Sequence, residues 1–307
     1  MAYTSVLRAA RTKLLTPLRV CRSPYYSGHS VHSSSVPASA SSCVPPAESP
    51  LPGQLRERIS PKILKLCELA RKHGYSWAWA DMTCINKESS TELSEGINSM
   101  FRYYALSDVC FVYLADVPQS ATRKGLWWSK WYTRGWTLQE LLAPRLVVFL
   151  DEEWTVIGTK TDFAQTISTH TGIPERVLRF EQDMYKISVA ARMSWASTRT
   201  TTRLEDEAYC LMGIFGINMP TLYGEGRNAF YRLQRKIMKA STDTSLFAWG
   251  EFEPENKKTT ARPIGSFMEC LFAPSPSCFR LCSDIVDDGP MTAVEVCRRP
   301  NFAPAPS

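Results

Sequence analysis

Acid is missing from the first part of the chain. Between Met1 and Ala47 there is no Asp or Glu, against Arg8, Arg11, Lys13, Arg19 and Arg22. The formal charge of +6 over 307 residues is therefore almost all carried by that segment, and the remainder has no nucleic-acid footprint. A long apolar run is also missing. Ala208 to Ile217 is broken by Gly213 and Gly216, well short of the roughly 18–20 residues that span a bilayer. Histidine is scarce and dispersed, at His29, His32, His73 and His170, and no histidine follows the close pair Cys278 and Cys282, so no metal cluster is indicated. The ten cysteines fall singly, without a disulfide framework. Those inside apolar runs, such as Cys110-Phe-Val-Tyr-Leu114, read as reduced core thiols of an intracellular protein. No Gly-x-x-x-x-Gly-Lys-Ser/Thr loop occurs, and Gly224-Glu-Gly226 is too short to cradle a phosphate.

What is present divides the chain into three parts. Residues 1–60 read as a disordered, basic, Ser/Pro-rich leader, because such a composition buries too little apolar surface to offset ordering entropy. Its Arg-rich, acid-free "SVLRAARTKLLTPLRVCRS" also fits an organelle transit peptide, so mitochondrial targeting stands as the alternative to a cytoplasmic location. Residues 61–250 read as the folded domain, with an α/β part over 61–158 and a helical part over 159–250. Residues 251–307 read as a polar linker and an irregular extension.

Within the α/β part, Ile63, Leu66, Leu69 and Ala70 share a helical face that ends at Gly74. Tyr75 to Asp81 alternates aromatic and small residues, predicting a strand packed closely on its small face. Ser89-x-x-Glu92 is a capping box for a helix with Leu93, Ile97, Met100, Phe101 and Tyr104 inward. Strands over Val109–Val117 and Leu146–Leu150 flank a short helix from about Thr137, stopped by Pro144. This order predicts a parallel sheet with crossover helices. Helices are expected over Asp162–His170, Tyr185–Ala196, Leu204–Phe215 and Arg227–Ala240, with Thr202-x-x-Glu205 as a second capping box.

Three long motifs, in order, carry a family resemblance. "YSWAWADMTCINKESSTELSEGINSMFRYYALSDVCFVYLADV", "WYTRGWTLQELLAPRLVVFLDEEWTVIG" and "MSWASTRTTTRLEDEAYCLMGIFGINMPTLYGEGRNAFYRLQRKIM" resemble the heterokaryon-incompatibility (HET) domain of filamentous fungi. The resemblance implies a self/non-self effector that triggers programmed death of fused cells. HET domains are distantly similar to TIR domains, which implies a TIR-like, Rossmann-like core and NAD as a substrate. HET domains usually open with a strand of the type Tyr-Ala-x-Leu-Ser-His-x-Trp, and no such stretch stands before Pro61. An inactive, truncated paralogue is therefore a further reading.

The TIR resemblance, through a Trp-Cys-Leu-x-Glu-Leu context, singles out Trp136-Thr-Leu-Gln-Glu140-Leu141 and implies Glu140 as the catalytic carboxylate. A carboxylate can stabilise the oxocarbenium-like state as the nicotinamide–ribose bond breaks. Trp136, at i and i+4 from Glu140, would lie beside it. The other reading of Glu140 is structural: an acid near a helix start, pairing with Arg134 or Arg145. Asp81, at the carboxyl end of a strand, is a cleft candidate or a turn cap. Arg134-Gly135 offers a cation to a phosphate or makes the turn before a helix. Trp127, Trp128 and Trp131 read either as core or as a surface for protein partners, self-association included.

Overall fold

A computed structural model describes residues 60–75, 77–119, 128–250 and 271–287, and the backbone alone of 3–8. Five strands, β1 (Tyr3–Arg8), β2 (Trp77–Trp79), β3 (Val109–Tyr113), β4 (Val147–Leu150) and β5 (Val156–Thr159), form one sheet in the order β2-β1-β3-β4-β5. The helices are α1 (Pro61–Lys72), α2 (Asp81–Cys84), α3 (Ser90–Ala105), α4 (Thr137–Leu142), α5 (Ala164–Thr171), α6 (Glu175–Leu178), α7 (Val189–Ser194), α8 (Asp206–Tyr209), α9 (Met212–Phe215) and α10 (Asn228–Ala240).

The α/β class stands, but the sheet is mixed rather than parallel. Only β3 and β4 pair in parallel; β1 runs antiparallel to both β2 and β3, and β5 is antiparallel to β4. β1 is the physical reason. It enters between β2 and β3, which therefore point the same way without touching, and residues expected to be part of an unstructured leader contribute a central strand. The Ser/Pro-rich stretch 24–56 lies outside the described residues. β5 arises from the turn Asp151-Glu-Glu-Trp154. Asp151 Oδ1 accepts from the amides of Glu153 and Thr155 at 2.9 and 2.8 Å, and Trp154 takes a left-handed φ of 64°.

Period-two alternation places the strands between two apolar layers. Ala78, Ala80, Val109, Phe111 and Leu150 meet Ile63, Leu66, Cys67 and Ala70 of α1. Trp79, Cys110, Val112, Val147 and Phe149 face the larger core shared with the other helices. The small face of β2 lets α1 approach closely, as its Trp/Ala alternation requires. Ser89 Oγ accepts from the amide of Glu92 at 3.3 Å, starting α3 as expected, while Glu92 Oε1 reaches the amide of Asn86. Ile97, Met100 and Tyr104 are buried beneath it.

The helical part is more broken than its sequence pattern. Leu204–Phe215 is two single turns, α8 and α9, and Tyr185–Ala196 is a 3-10 turn over Met184–Lys186 followed by α7. The second capping box does not form, because Glu205 itself is the N-cap of α8 and its carboxylate points elsewhere. Residues 271–287 are irregular yet built into the core: Ala273, Phe279 and Cys282 are fully buried. Among the described residues no helix is long and apolar enough to cross a membrane.

α3 and α9 meet where a side chain is absent. A Cβ on Gly213 would lie 2.1 Å from Phe101 Cβ and 2.6 Å from its Cγ. Gly213→Ala is therefore expected to destabilise the domain by about 2–3 kcal/mol, read from its urea midpoint, because ring and helix must separate. A midpoint within error of the parent would contradict this packing.

Candidate functional site

The central motif is anchored from the carboxyl end of β3. Asp116 accepts from Ser129 Oγ at 2.7 Å and from the amide of Lys130 at 2.8 Å, fixing the 3-10 turn Lys130–Thr133. That turn drives Trp131 into the core, where its ring meets Tyr132 and Phe149 edge-on at 4.9 and 5.7 Å. Thr137 Oγ1 donates back to the carbonyls of Trp131 and Arg134, so the chain reverses tightly into α4. All six residues of α4 are buried.

Glu140 sits in the first turn of α4, where the helix dipole favours its charge, and is only 6% exposed. Trp131 Nε1 donates to Glu140 Oε2 at 3.1 Å. The indole that holds this carboxylate is thus Trp131, not Trp136 one turn away. Arg199 is a cation in its field. Arg145 has its guanidinium 5.7 Å from the centre of the Phe180 ring. Arg199 Nη1 donates to the carbonyl of Arg134 at 2.9 Å and to Thr137 Oγ1 at 2.8 Å, and Nε reaches the carbonyl of Trp195. Its Nη2 is buried with no hydrogen-bond partner. Burial pushes the Arg199 guanidinium down to about 10, so it stays charged at neutral pH.

The other predicted residues divide between two neighbourhoods. Asp81 opens α2 and accepts from the amide of Met82 at 2.7 Å, as a turn-capping aspartate does. Burial raises its carboxyl, while Lys87 and Arg134 pull it back, so Asp81 and Arg134 share one electrostatic neighbourhood. Trp136 instead donates to Asp206 of the third motif. There Tyr223 Oη donates to Asp206 Oδ1 at 2.9 Å, and the Arg203 guanidinium lies 4.5 Å from the Tyr223 ring centre. Glu205 Oε1 accepts from the amides of Gly224 and Gly226 at 2.7 and 3.1 Å. Both glycines have positive φ, 104° and 59°, which turns their amides onto one oxygen. A bond from its own amide, joined by those from Gly224 and Gly226, holds the Glu205 carboxyl below the usual range. Gly224-Glu-Gly226 therefore grips a carboxylate within the protein.

The tryptophan cluster separates sharply. Trp131 is fully buried and Trp128 is 86% exposed; Trp127 lies outside the described residues.

Sequence reasoning missed Lys160. It is 1% exposed, and its Nζ donates to the carbonyls of Leu141 and Pro144 at 3.0 and 2.6 Å, closing the C-terminal end of α4. Phe180, left-handed at φ 59°, covers the ammonium at 4.5 Å. A lone lysine in "VIGTKTDF" carries no motif that announces such a role. Asn98 was also silent, yet its amide pairs with both the carbonyl and the amide of Met219 at 3.0 Å, tying α3 to the third motif. Among the described residues no group of three or more His, Cys, Asp or Glu is placed to hold a metal ion.

Comparison with known proteins finds two family matches, the first of which contains the motif that begins at Tyr75. The family "Heterokaryon incompatibility protein (HET)" matches residues 46–126, and "Domain of unknown function (DUF8212)" matches residues 228–301. Over 187 residues, 58% of this chain, the sequence is 44% identical to the vegetative incompatibility protein HET-E-1 of Podospora anserina. The chain spans 14% of the length of that relative. No solved structure matches. By both comparisons the chain carries a match to the HET domain and is similar to a fungal incompatibility protein.

Proposed function

We propose that this chain acts in heterokaryon incompatibility as a signalling module that works by protein association, leading to death of the fused cell. The observation that carries this reading is the setting of Glu140. Its carboxylate is 6% exposed and held by Trp131 Nε1 within a fully buried helix, which suits an internal structural role better than contact with a substrate. Trp128, exposed on the turn just before it, offers the kind of rigid aromatic anchor that dominates protein interfaces.

A second reading, NAD cleavage as the TIR resemblance implies, has one observation in its favour. Arg199 Nη2 is buried without a partner in the electrostatic neighbourhood of Glu140, an unspent donor for an anionic or ribosyl group.

One experiment separates the two. The chain and its Glu140→Gln and Trp128→Glu variants are induced in a fungal host, with viability and cellular NAD followed, and the purified proteins are assayed for nicotinamide release. Association predicts death with NAD unchanged, retained in the folded Glu140→Gln variant and lost in Trp128→Glu. Nicotinamide release by the purified chain that disappears in a folded Glu140→Gln variant would overturn it in favour of catalysis.

A further inference from the structure

α10 presents two distinct stripes. Its buried stripe is Ala229, Phe230, Leu233, Gln234 and Ile237. The adjoining stripe, Asn228, Tyr231, Arg232 and Arg235, follows the i, i+3, i+4, i+7 spacing of one helical face. With Leu271 and Phe272 it lines a cavity of about 340 Å³.

The cavity wall is fixed from inside the core. Gln234 is fully buried; its amide nitrogen donates to the carbonyl of Ala273 at 2.8 Å, and its amide oxygen accepts from the Ala273 amide at 2.9 Å. This paired clip sets residues 271–272 over the stripe. Arg227 Nη1, at the start of the helix, reaches the carbonyl of Pro274 and holds the same strip a second time.

The lining has a chemical polarity. Tyr231, Leu271 and Phe272 supply an aromatic and apolar wall, while Asn228, Arg232 and Arg235 supply donors. Arg232 is spent: its guanidinium bonds Glu225 and the carbonyl of Pro220. Arg235 is not. It is exposed and, among the described residues, has no carboxylate within ion-pair distance. α10 carries Arg232, Arg235, Lys236 and Lys239 and no acid, so the local field is positive.

We propose that this cavity is a binding site for a small phosphate monoester bearing an aromatic ring. The volume lies within the range of small-molecule sites, roughly 300–1,000 Å³. The guanidinium fork of Arg235 matches two phosphate oxygens, with the Asn228 amide as an adjacent donor. The ring stacks against Tyr231 and Phe272. This site is independent of Glu140 and of how the incompatibility signal is sent.

The test is calorimetric titration of the full chain with phenyl phosphate, beside inorganic phosphate and vesicles containing a phosphatidylinositol phosphate. Phenyl phosphate is expected to bind with a Kd on the order of 0.1 mM, and inorganic phosphate about tenfold more weakly for want of the ring. Arg235→Met should weaken phenyl phosphate by about tenfold or more, the loss of a charge-assisted pair. Lys239→Met, a control that removes a charge outside the cavity, should stay within about twofold. The proposal is overturned by no binding of phenyl phosphate at about 5 mM, by an unaffected Arg235→Met, or by equal losses in the two variants, which would mean diffuse attraction. Binding to vesicles alone would overturn it too, making this face a membrane contact rather than a site.

Discussion

Trp131→Ala is expected to destabilise the domain by about 5 kcal/mol, comparable to the whole stability of a domain at the low end of the ordinary range of about 5–15 kcal/mol. Two losses combine. Deleting a fully buried indole leaves a cavity between Tyr132 and Phe149, which costs about 3–5 kcal/mol. It also strips Glu140 Oε2 of the indole N–H at 3.1 Å, and a buried acceptor left without its donor costs about 1–3 kcal/mol more. Packing should outweigh the hydrogen bond, and Trp131→Phe checks this. That variant keeps most of the ring volume and loses the N–H, so about 2 kcal/mol is expected. The measurement is urea unfolding of the three proteins. Equal losses in the two variants would make the hydrogen bond dominant, and a loss below about 1.5 kcal/mol in Trp131→Ala would contradict the core position of this residue.

The same residue shows what the sequence can and cannot convey. Periodicity identified α3, its Ser89 cap and the close small face of β2, because those features are local and each residue's partner lies within a few positions. The order of strands was beyond it. β1 is recruited across more than fifty residues from a segment whose composition argues against structure, and strand pairing at that distance leaves no local signal. Glu140 was correctly placed in the first turn of a helix, but its partner was assigned by the i, i+4 rule to Trp136. That rule describes neighbours on an exposed helix surface. In the buried α4, the 3-10 turn ahead brings Trp131 inward, and Trp136 is drawn off to Asp206 by the third motif. The acidic run Glu205-Asp-Glu207 begins with the residue expected to close a capping box with Thr202. Its first member instead fastens the Gly224-Glu-Gly226 loop nineteen and twenty-one residues away.

Lys160 should make the stability of the domain rise with pH where most proteins are flat. Burial pushes its ammonium down to about 7, against 10.5 for an exposed lysine. Between those values the unfolded chain binds a proton that the folded protein has released. Stability therefore increases as pH rises through that window, at up to about 1.4 kcal/mol per unit. The neutral amine keeps two N–H donors, enough for the carbonyls of Leu141 and Pro144. Above about pH 9 the trend reverses. Burial raises the thiols of Cys110 and Cys210 above their ordinary 9.0, so the unfolded chain loses protons that the folded protein retains. Lys160→Met removes the ascending limb and keeps the descending one. It also leaves two buried carbonyls at the end of α4 without donors, at about 1–3 kcal/mol each, partly offset by the lysine desolvation it relieves. Melting temperatures of both proteins from pH 6.5 to 10 decide the matter. A rise to a maximum near pH 9 in the parent, absent from Lys160→Met, is the expected pair of curves. A parallel rise in both would assign it to another group and return Lys160 to an ordinary ammonium.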